Sequence, residues 1–494
     1  MHRALLVSEI FREIFPYLTK TSLAALVRTC KNFYDLAMDP LWSELDGIEP
    51  LLGCVERLHP MIYHRLPKSF SRPWSDGVEP LSMSEAYQFL RHADRVRSLS
   101  VNGYQVAPSL DCLRLLSVFP IEICVFQRLL SLSWRVGFPG SKYLHLFMSP
   151  TLRRCAVLPI HHDLKNIGRH CPVLEGLSIL PAMDFEWTCG PSLLHDVFRS
   201  CGRLVNLSCP LPDSTTWEFL SRLPTLVTLT IYGLGTYNLQ VQHDTNFVPF
   251  LSLTALSFHF NMLLPNEAAH IITLLQHSEF LSLKEFEVKI LNGIPSEQAE
   301  QIFRALSQSK ACQTLERIAI LFRGTDSEAS EEIDEPMPLA FRLDPLFCFT
   351  QLRRLQLRIQ GSIYNELLLK VVSSWPYIES LELEDLNHYE PAITFRGLFA
   401  ALRLCPHLHT LRVPMNVGYI DVDPTTESFQ HVSLRELHFG SSYIEDAEAV
   451  ALIISSMLPR VSKVTGTRYL PLWLDVNEHL KSFAAVGRTR SVDS

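Results

Sequence analysis

One spacing of apolar residues, L-x-x-L-x-L with aliphatic or aromatic substitutes, returns thirteen times along this chain. It begins as Val96-Leu99-Val101, recurs for instance as Leu174-Leu177-Ile179, Leu226-Leu229-Ile231 and Leu381-centred Ile378-Leu381-Leu383, and ends as Leu434-Leu437-Phe439. Val461-Val464 reads as a degenerate last copy. The last two apolar positions lie two residues apart, which puts both side chains on one face of a short strand. Twelve intervals separate the first copy from the last, and their mean length is about 28 residues, inside the range of about 20–29 typical of stacked repeats. Helix-like stretches separate the copies: Ser192–Cys201, Thr216–Leu223, Asn266–His277, Glu297–Ser307, Tyr364–Trp375 and Ile444–Met457. One strand plus one helix cannot bury its own apolar face, so neighbouring units must stack. The texts HCPVLEGLSI at 170–179, SCGRLVNLSC at 200–209 and LCPHLHTLRV at 404–413 place a proline or glycine after a cysteine, ending a helix before each strand.

This pattern resembles the leucine-rich repeat. The expected fold class is therefore α/β: a curved parallel sheet lined with helices, over residues 84–466. The family's Asn or Cys, eight positions after the first leucine, is met only by Asn261 and Asn416, so the array is irregular. Thr325 to Pro338, TDSEASEEIDEPMP, is acidic and nearly free of apolar residues, and is expected as an excursion from one repeat. After Thr467, the residues Tyr469, Leu470, Leu472, Trp473, Val476, Leu480 and Phe483 fit an amphipathic helix with Pro471 near its first turn. Within residues 467–494, that helix is expected to cap the array and Ala484–Ser494 to fray.

The first 46 residues follow a different rule. Val7, Ile10, Phe11, Ile14, Phe15 and Leu18 recur at helical spacing, with Ser8 as N-cap and Pro16 closing the helix. Thr21 is expected to cap a second helix carrying Leu23, Leu26, Val27 and Cys30. A third carries Phe33, Leu36 and Ala37, and Asp39-Pro40 is expected to stop it before Leu41 and Trp42. Three short helices cannot by themselves bury so many large apolar side chains.

That segment resembles an F-box. Leu6, Glu9, Ile10, Ile14, Phe15 and Leu18 match its first part, and Cys30, Lys31, Leu36, Ala37, Asp39, Pro40, Leu41 and Trp42 the remainder, with Phe33 in the family's Trp slot. Val7 stands where the family has proline, Phe11 for leucine and Thr29 for valine. The resemblance implies docking on a Skp1-type adaptor, itself joined to cullin and RING subunits, through Leu5, Leu6, Ile10, Phe15, Leu18, Leu23, Leu26, Cys30, Phe33, Leu41 and Trp42. An F-box followed by irregular leucine-rich repeats, entered through RVRSL, is similar to the large F-box families of mushroom-forming fungi.

Between these regions, residues 47–83 carry Pro50, Pro60, Pro67, Pro73 and Pro80 and are expected as a linker with one short helix near Leu51–Leu58. With 44 basic against 52 acidic residues, a net of −8, the chain lacks the basic footprint of a nucleic-acid binder. Its 12 cysteines form no C-x-x-C pair and read as reduced thiols of a cytoplasmic or nuclear protein. Glu9, Arg12 and Glu13 interrupt the N-terminal apolar stretch, and no other segment has the length of a membrane span. No P-loop, G-x-G-x-x-G, G-x-S-x-G or H-E-x-x-H signature occurs, so no enzyme activity and no cofactor or metal are expected. His161-His162 reads as a polar turn, Cys171 beside His170 as a core plug recurring at Cys201 and Cys405, and Asp475 with Glu478 as a solvated helix face.

Strand residues between the apolar positions face away from the core. In the first seven copies these are mostly small or uncharged, as at Ser98, Ser100, Ser131, Ser133 and Ser178; Arg135 and Arg154 are exceptions. In the last six they turn charged: Glu285, Glu287, Lys289, Arg317, Arg354, Arg358, Glu382, Glu384, Arg412 and Glu436. All of these except Lys289 are the candidate contacts for a protein substrate, selected by charge complementarity; the alternative is that the charges only keep a long sheet edge soluble. The expected function is a substrate receptor of a Skp1-cullin-F-box ubiquitin ligase; the alternative is a repeat scaffold whose F-box engages no ligase.

Overall fold

The computed structural model describes residues 8–29, 31–63, 78–102, 111–120, 123–137, 140–158, 164–180, 191–233, 247–291, 296–322, 343–359, 363–385, 391–440, 442, 444–466 and 470–492. The chain divides into two compact units, Met1–Leu226 and Val227–Ser494.

The first unit opens with α1 (Ser8–Ile14), a 3-10 turn (Phe15–Tyr17), α2 (Lys20–Val27) and α3 (Lys31–Ser43). Pro16 falls in the 3-10 turn, where its missing N–H costs little. The cap of α2 is Thr19, not Thr21: the Thr19 hydroxyl accepts from the Ser22 N–H at 3.2 Å, and Thr21 lies inside the helix. Asp39-Pro40 does not stop α3, which continues to Ser43. Proline removes one helical N–H there, and tertiary contacts hold the last turn instead. Trp42 stacks on His92 with ring centroids 4.5 Å apart. Arg95 reaches Asp35 at 3.3 Å and also pairs with Asp39.

Six parallel strands follow in this unit: β1 (Glu44–Leu45), β2 (Ser98–Asn102), β3 (Ser131–Arg135), β4 (Arg154–Val157), β5 (Gly176–Ile179) and β6 (Asn206–Pro210), each paired with the next in the chain. The sheet therefore begins at Glu44, ahead of the first expected copy. Residues 47–63, expected to begin a linker, hold helices Glu49–Leu52 and His59–Tyr63, with Leu51, Leu52, Val55 and Leu58 buried. Arg57 ties this stretch to the helix Met83–Leu90 through Glu85 at 2.7 Å. That ion pair and the Ser82 capping box hold the Glu85 carboxyl down at about 2. Pro67 and Pro73 lie outside the described residues.

The second unit carries β7 (Thr228–Tyr232), β8 (Ala255–Phe260), β9 (Glu285–Ile290), β10 (Arg317–Phe322), β11 (Arg354–Ile359), β12 (Ser380–Asp385), β13 (Thr410–Arg412), β14 (Glu436–His438) and β15 (Val464–Thr465), again paired in parallel and in chain order. Register follows the leucines. Leu229, Leu256, Phe286, Ile318, Leu355, Leu381, Leu411, Leu437 and Val464 stand opposite one another, one per strand. All nine are buried, and each large side chain so buried stabilises by about 1.5–3 kcal/mol. The six helix-like stretches occur as helices whose ends differ by at most three residues from the expected ones. This is a leucine-rich-repeat form of an α/β fold.

Where the family's asparagine is missing, hydroxyls tie repeat to repeat. Thr151 donates to the Leu129 carbonyl at 3.0 Å, Thr225 to Leu204 at 2.7 Å and Thr314 to Leu283 at 2.6 Å. In each case the residue before the first leucine of one repeat bonds the first leucine of the preceding repeat, satisfying a buried carbonyl. The cysteines at the helix exits are buried: desolvation raises Cys201 and pushes Cys171 and Cys405 up to about 12. They are uncharged core residues at neutral pH.

The C-terminal helix, Leu470–Val492, buries Trp473, Val476 and Leu480. The stretch from Ala484, expected to fray, is helical to Val492. Asn477 closes the last strand: its Oδ1 accepts from the Val464 N–H at 2.8 Å and its Nδ2 donates to the Val464 carbonyl at 2.9 Å. No helix among the described residues is long and apolar enough to cross a membrane.

Candidate functional site

Two surfaces carry the residues singled out in the sequence, one on the N-terminal helices and one on the sheet face of the second unit. On the helices, Phe11, Phe15, Leu23, Phe33 and Ala37 form a buried cluster, with Leu18, Leu26, Val27, Leu36 and Leu41 packed against it. Phe11 meets Phe15 at 5.1 Å and Phe33 edge-on at 4.9 Å between centroids. Phe15, Leu23 and Phe33, named among adaptor residues not all expected to be directly exposed, are core residues of this cluster. Phe15 is only 3% exposed. Leu18, Leu26, Leu41 and Trp42 are half-buried. Leu5, Leu6 and Cys30 lie outside the described residues.

The side chains that do reach solvent form a ridge. Ile10 is 38% exposed, Ile14 43% and Tyr17 88%, and their spacing of four and three sets them on one side of α1 and its 3-10 extension. Tyr34 on α3 is also exposed. Of these only Ile10 was among the named contacts. Ile14 belongs to the same apolar stripe in the sequence, whereas Tyr17 stands outside it; which half of a stripe is buried depends on where α2 and α3 pack.

On the second surface, strand alternation turns Glu285, Glu287, Arg317, Arg354, Arg358, Glu382, Glu384, Arg412 and Glu436 away from the core, beside the inward leucines. Most bind one another. Arg317 pairs with Glu285 at 3.6 Å, and Glu384 receives Arg358 and Arg412, each at 2.6 Å. Glu287 takes His259 at 3.3 Å and also Lys289; the His259 contact is the main cause holding its carboxyl at about 2. Glu382 accepts from Gln356 at 3.2 Å and Glu436 from Thr410 at 3.3 Å. Among the described residues Arg354 has no ion-pair partner, since its register neighbour is Arg317. On this face, whose charges were expected either to select a protein substrate or to keep a long sheet soluble, most of the charged side chains pair laterally.

Among the described residues, no group of three or more His, Cys, Asp or Glu side chains is placed to hold a metal ion. His161, His162 and the acidic stretch 325–338 lie outside those residues.

Residues 8–47 match the F-box-like family model. No curated protein matches the chain. Among solved structures, the yeast Rad7 and Elc1 complex is similar at 12% identity, covering 94% of this chain and 90% of that one with a TM-score of 0.37. The TLR13–ssRNA13 complex is similar at 11% identity, over 76% of this chain and 53% of that one, with a TM-score of 0.29. A Bacteroides fragilis protein is similar at 11% identity, over 54% of this chain and 67% of that one, with a TM-score of 0.25. The chain thus carries an F-box-like domain at residues 8–47, ahead of stacked leucine-rich repeats.

Proposed function

We propose that this protein is a substrate receptor of a Skp1-cullin-F-box type ubiquitin ligase, acting in the cytoplasm or nucleus. The observation that carries the reading is the exposed ridge Ile10–Ile14–Tyr17 within the segment that matches the F-box-like model. A ridge of two isoleucines and a tyrosine on a small helical cluster is an apolar surface that an adaptor groove covers. In this reading the adaptor joins the chain to cullin and RING subunits, and the repeats hold a protein substrate. The chain performs no bond chemistry. Tethering raises the effective concentration of substrate lysines at the ubiquitin thioester. Kinship with the expanded F-box families of mushroom-forming fungi belongs to the same reading, supported by the RVRSL entry and the irregular repeats.

A pull-down with a purified Skp1 homologue tests it. The intact chain is expected to bind, and Ile10→Asp with Ile14→Asp to abolish binding while leaving the circular-dichroism melt unchanged. Phe15→Asp should abolish binding together with the helical cluster, because it buries a charge among Phe11 and Phe33. An intact, folded chain that does not bind would leave a repeat scaffold with the form of an F-box and no ligase.

A further inference from the structure

Among the described residues, the cations of the second unit's sheet face are ion-paired, Arg354 apart, except toward its last strands. There Arg435 directly precedes β14, and Arg460 and Lys463 lie in the approach to β15. None of the three occupies an apolar position of the repeat. Parallel pairing brings the approaches together: Thr410 stands opposite Glu436, and Leu437 opposite Val464. These residues line a groove of about 780 Å³ with Arg412, Glu382, Ser462 and Thr465.

The balance of charge in this groove differs from the rest of the ladder. Arg412 is engaged by Glu384 at 2.6 Å, whereas Arg435, Arg460 and Lys463 have no ion-pair partner among the described residues. Four cations and two carboxylates line the groove, a local excess of positive charge in a chain of net −8. Three unpaired cations converging on one concavity attract an anionic ligand. The two carboxylates narrow its class. Glu382 and Glu436 repel a phosphodiester backbone that presents a charge at every step. They suit a main chain instead, because they accept peptide N–H groups while Ser462 and Thr465 hydroxyls donate to peptide carbonyls. A ligand with spaced anionic side chains on an amide backbone meets both demands.

We propose that this groove binds an extended protein segment carrying two or more Asp or Glu side chains, with Arg435, Arg460 and Lys463 as its anchors. The inference rests on the substrate-receptor reading only in taking that segment to belong to the substrate.

The test is fluorescence anisotropy of the full-length chain with a labelled Asp/Glu-rich decapeptide, its Asn/Gln counterpart, and a phosphoserine peptide of equal charge. The acidic peptide is expected to bind at least about tenfold more tightly than the neutral one and to weaken as salt rises from about 50 to about 200 mM. Arg435→Glu with Lys463→Glu should cost at least about tenfold in affinity, while Lys284→Glu, at the equivalent place just before β9 and paired with Glu316, leaves binding unchanged. Equal affinity for acidic and neutral peptides, or undiminished binding in the double variant, would overturn the proposal. Binding of the phosphoserine peptide alone would overturn the carboxylate assignment. The double variant is also carried through the Skp1 pull-down and a thermal melt, both expected unchanged. Loss of adaptor binding by the intact chain, with peptide binding kept, would fell the ligase reading and leave the groove standing.

Discussion

Along β2–β6 the residues between the inward positions are largely Ser98, Ser100, Ser131, Ser133, Ser178 and Ser208; along β9–β14 they include Glu285, Glu287, Arg317, Arg358, Glu384 and Arg412. The inward sides are equivalent. Leu99, Leu132, Cys155, Leu177 and Leu207 form one apolar row in the first unit, as Leu229 to Val464 do in the second. Burial thus fixes one side of each strand and leaves the other free to vary. Strands about 4.8 Å apart tolerate charge on that free side when sign alternates from strand to strand. Arg358–Glu384–Arg412 obeys this rule; Arg317 opposite Arg354 breaks it, and Arg317 turns back to Glu285. The charged face is therefore largely a self-paired ladder, and Arg354 marks a position where pairing fails.

The largest test of that equivalence is in the cores. Leu177→Ala in β5 and Leu383→Ala in β12 each remove a side chain about 1% exposed, and each should cost about 2–5 kcal/mol. Denaturant unfolding followed by hydrogen exchange in each unit measures this; a cost confined to one unit would break the comparison. A smaller effect is expected outward. Arg358 and Glu384 are partly exposed, so a double-mutant cycle should give a coupling of about 0.2–1 kcal/mol. Ser133→Arg on the first unit's face should stay within about 0.5 kcal/mol. A coupling several times larger would make the ladder a main support of the fold.

The smallest effect sharpens the comparison through pH. In the first unit, burial and then the nearby Arg91 and Arg95 hold His92 down at about 4, against an unfolded value near 6.5. Its neutral form is the one the fold accepts, so that contribution is complete above about pH 6.5 and is lost as pH falls toward 4. In the second unit, Glu287 titrates near 2, so its contribution is complete above about pH 4.5 and is lost only below that. Hydrogen exchange at pH 7, 5 and 3 should show the first unit loosening first. Glu287→Gln should flatten only the acid limb of the second; an unchanged limb would remove Glu287 from the account.

Much of this was legible because a leucine that must face inward leaves a fixed mark. Each of the thirteen copies coincides with a strand, and Val464 with the last short one. β1 escaped because Gly47 stands where the repeat calls for a second inward residue, and the chain turns there with φ +117°. The helix through Pro40 escaped because its last turn is held by His92 and Arg95, distant in the chain. Residues 47–63 carry prolines that suggest irregularity, yet Leu51, Leu52, Val55 and Leu58 find cover that no local rule announces. The basic groove is further from view. Arg435, Arg460 and Lys463 are unremarkable singly, and only the stacking of β13, β14 and β15 assembles them.

Asn477 carries a consequence beyond closing its own repeat. An array of parallel strands is a template, and its terminal strand offers further chains the same backbone groups that joined every earlier strand. By engaging both the N–H and the carbonyl of Val464 from one side-chain amide, Asn477 occupies backbone groups that a further strand would need. At that residue the edge is spent inside the molecule, so the side chain does for β15 what a sixteenth strand would otherwise do.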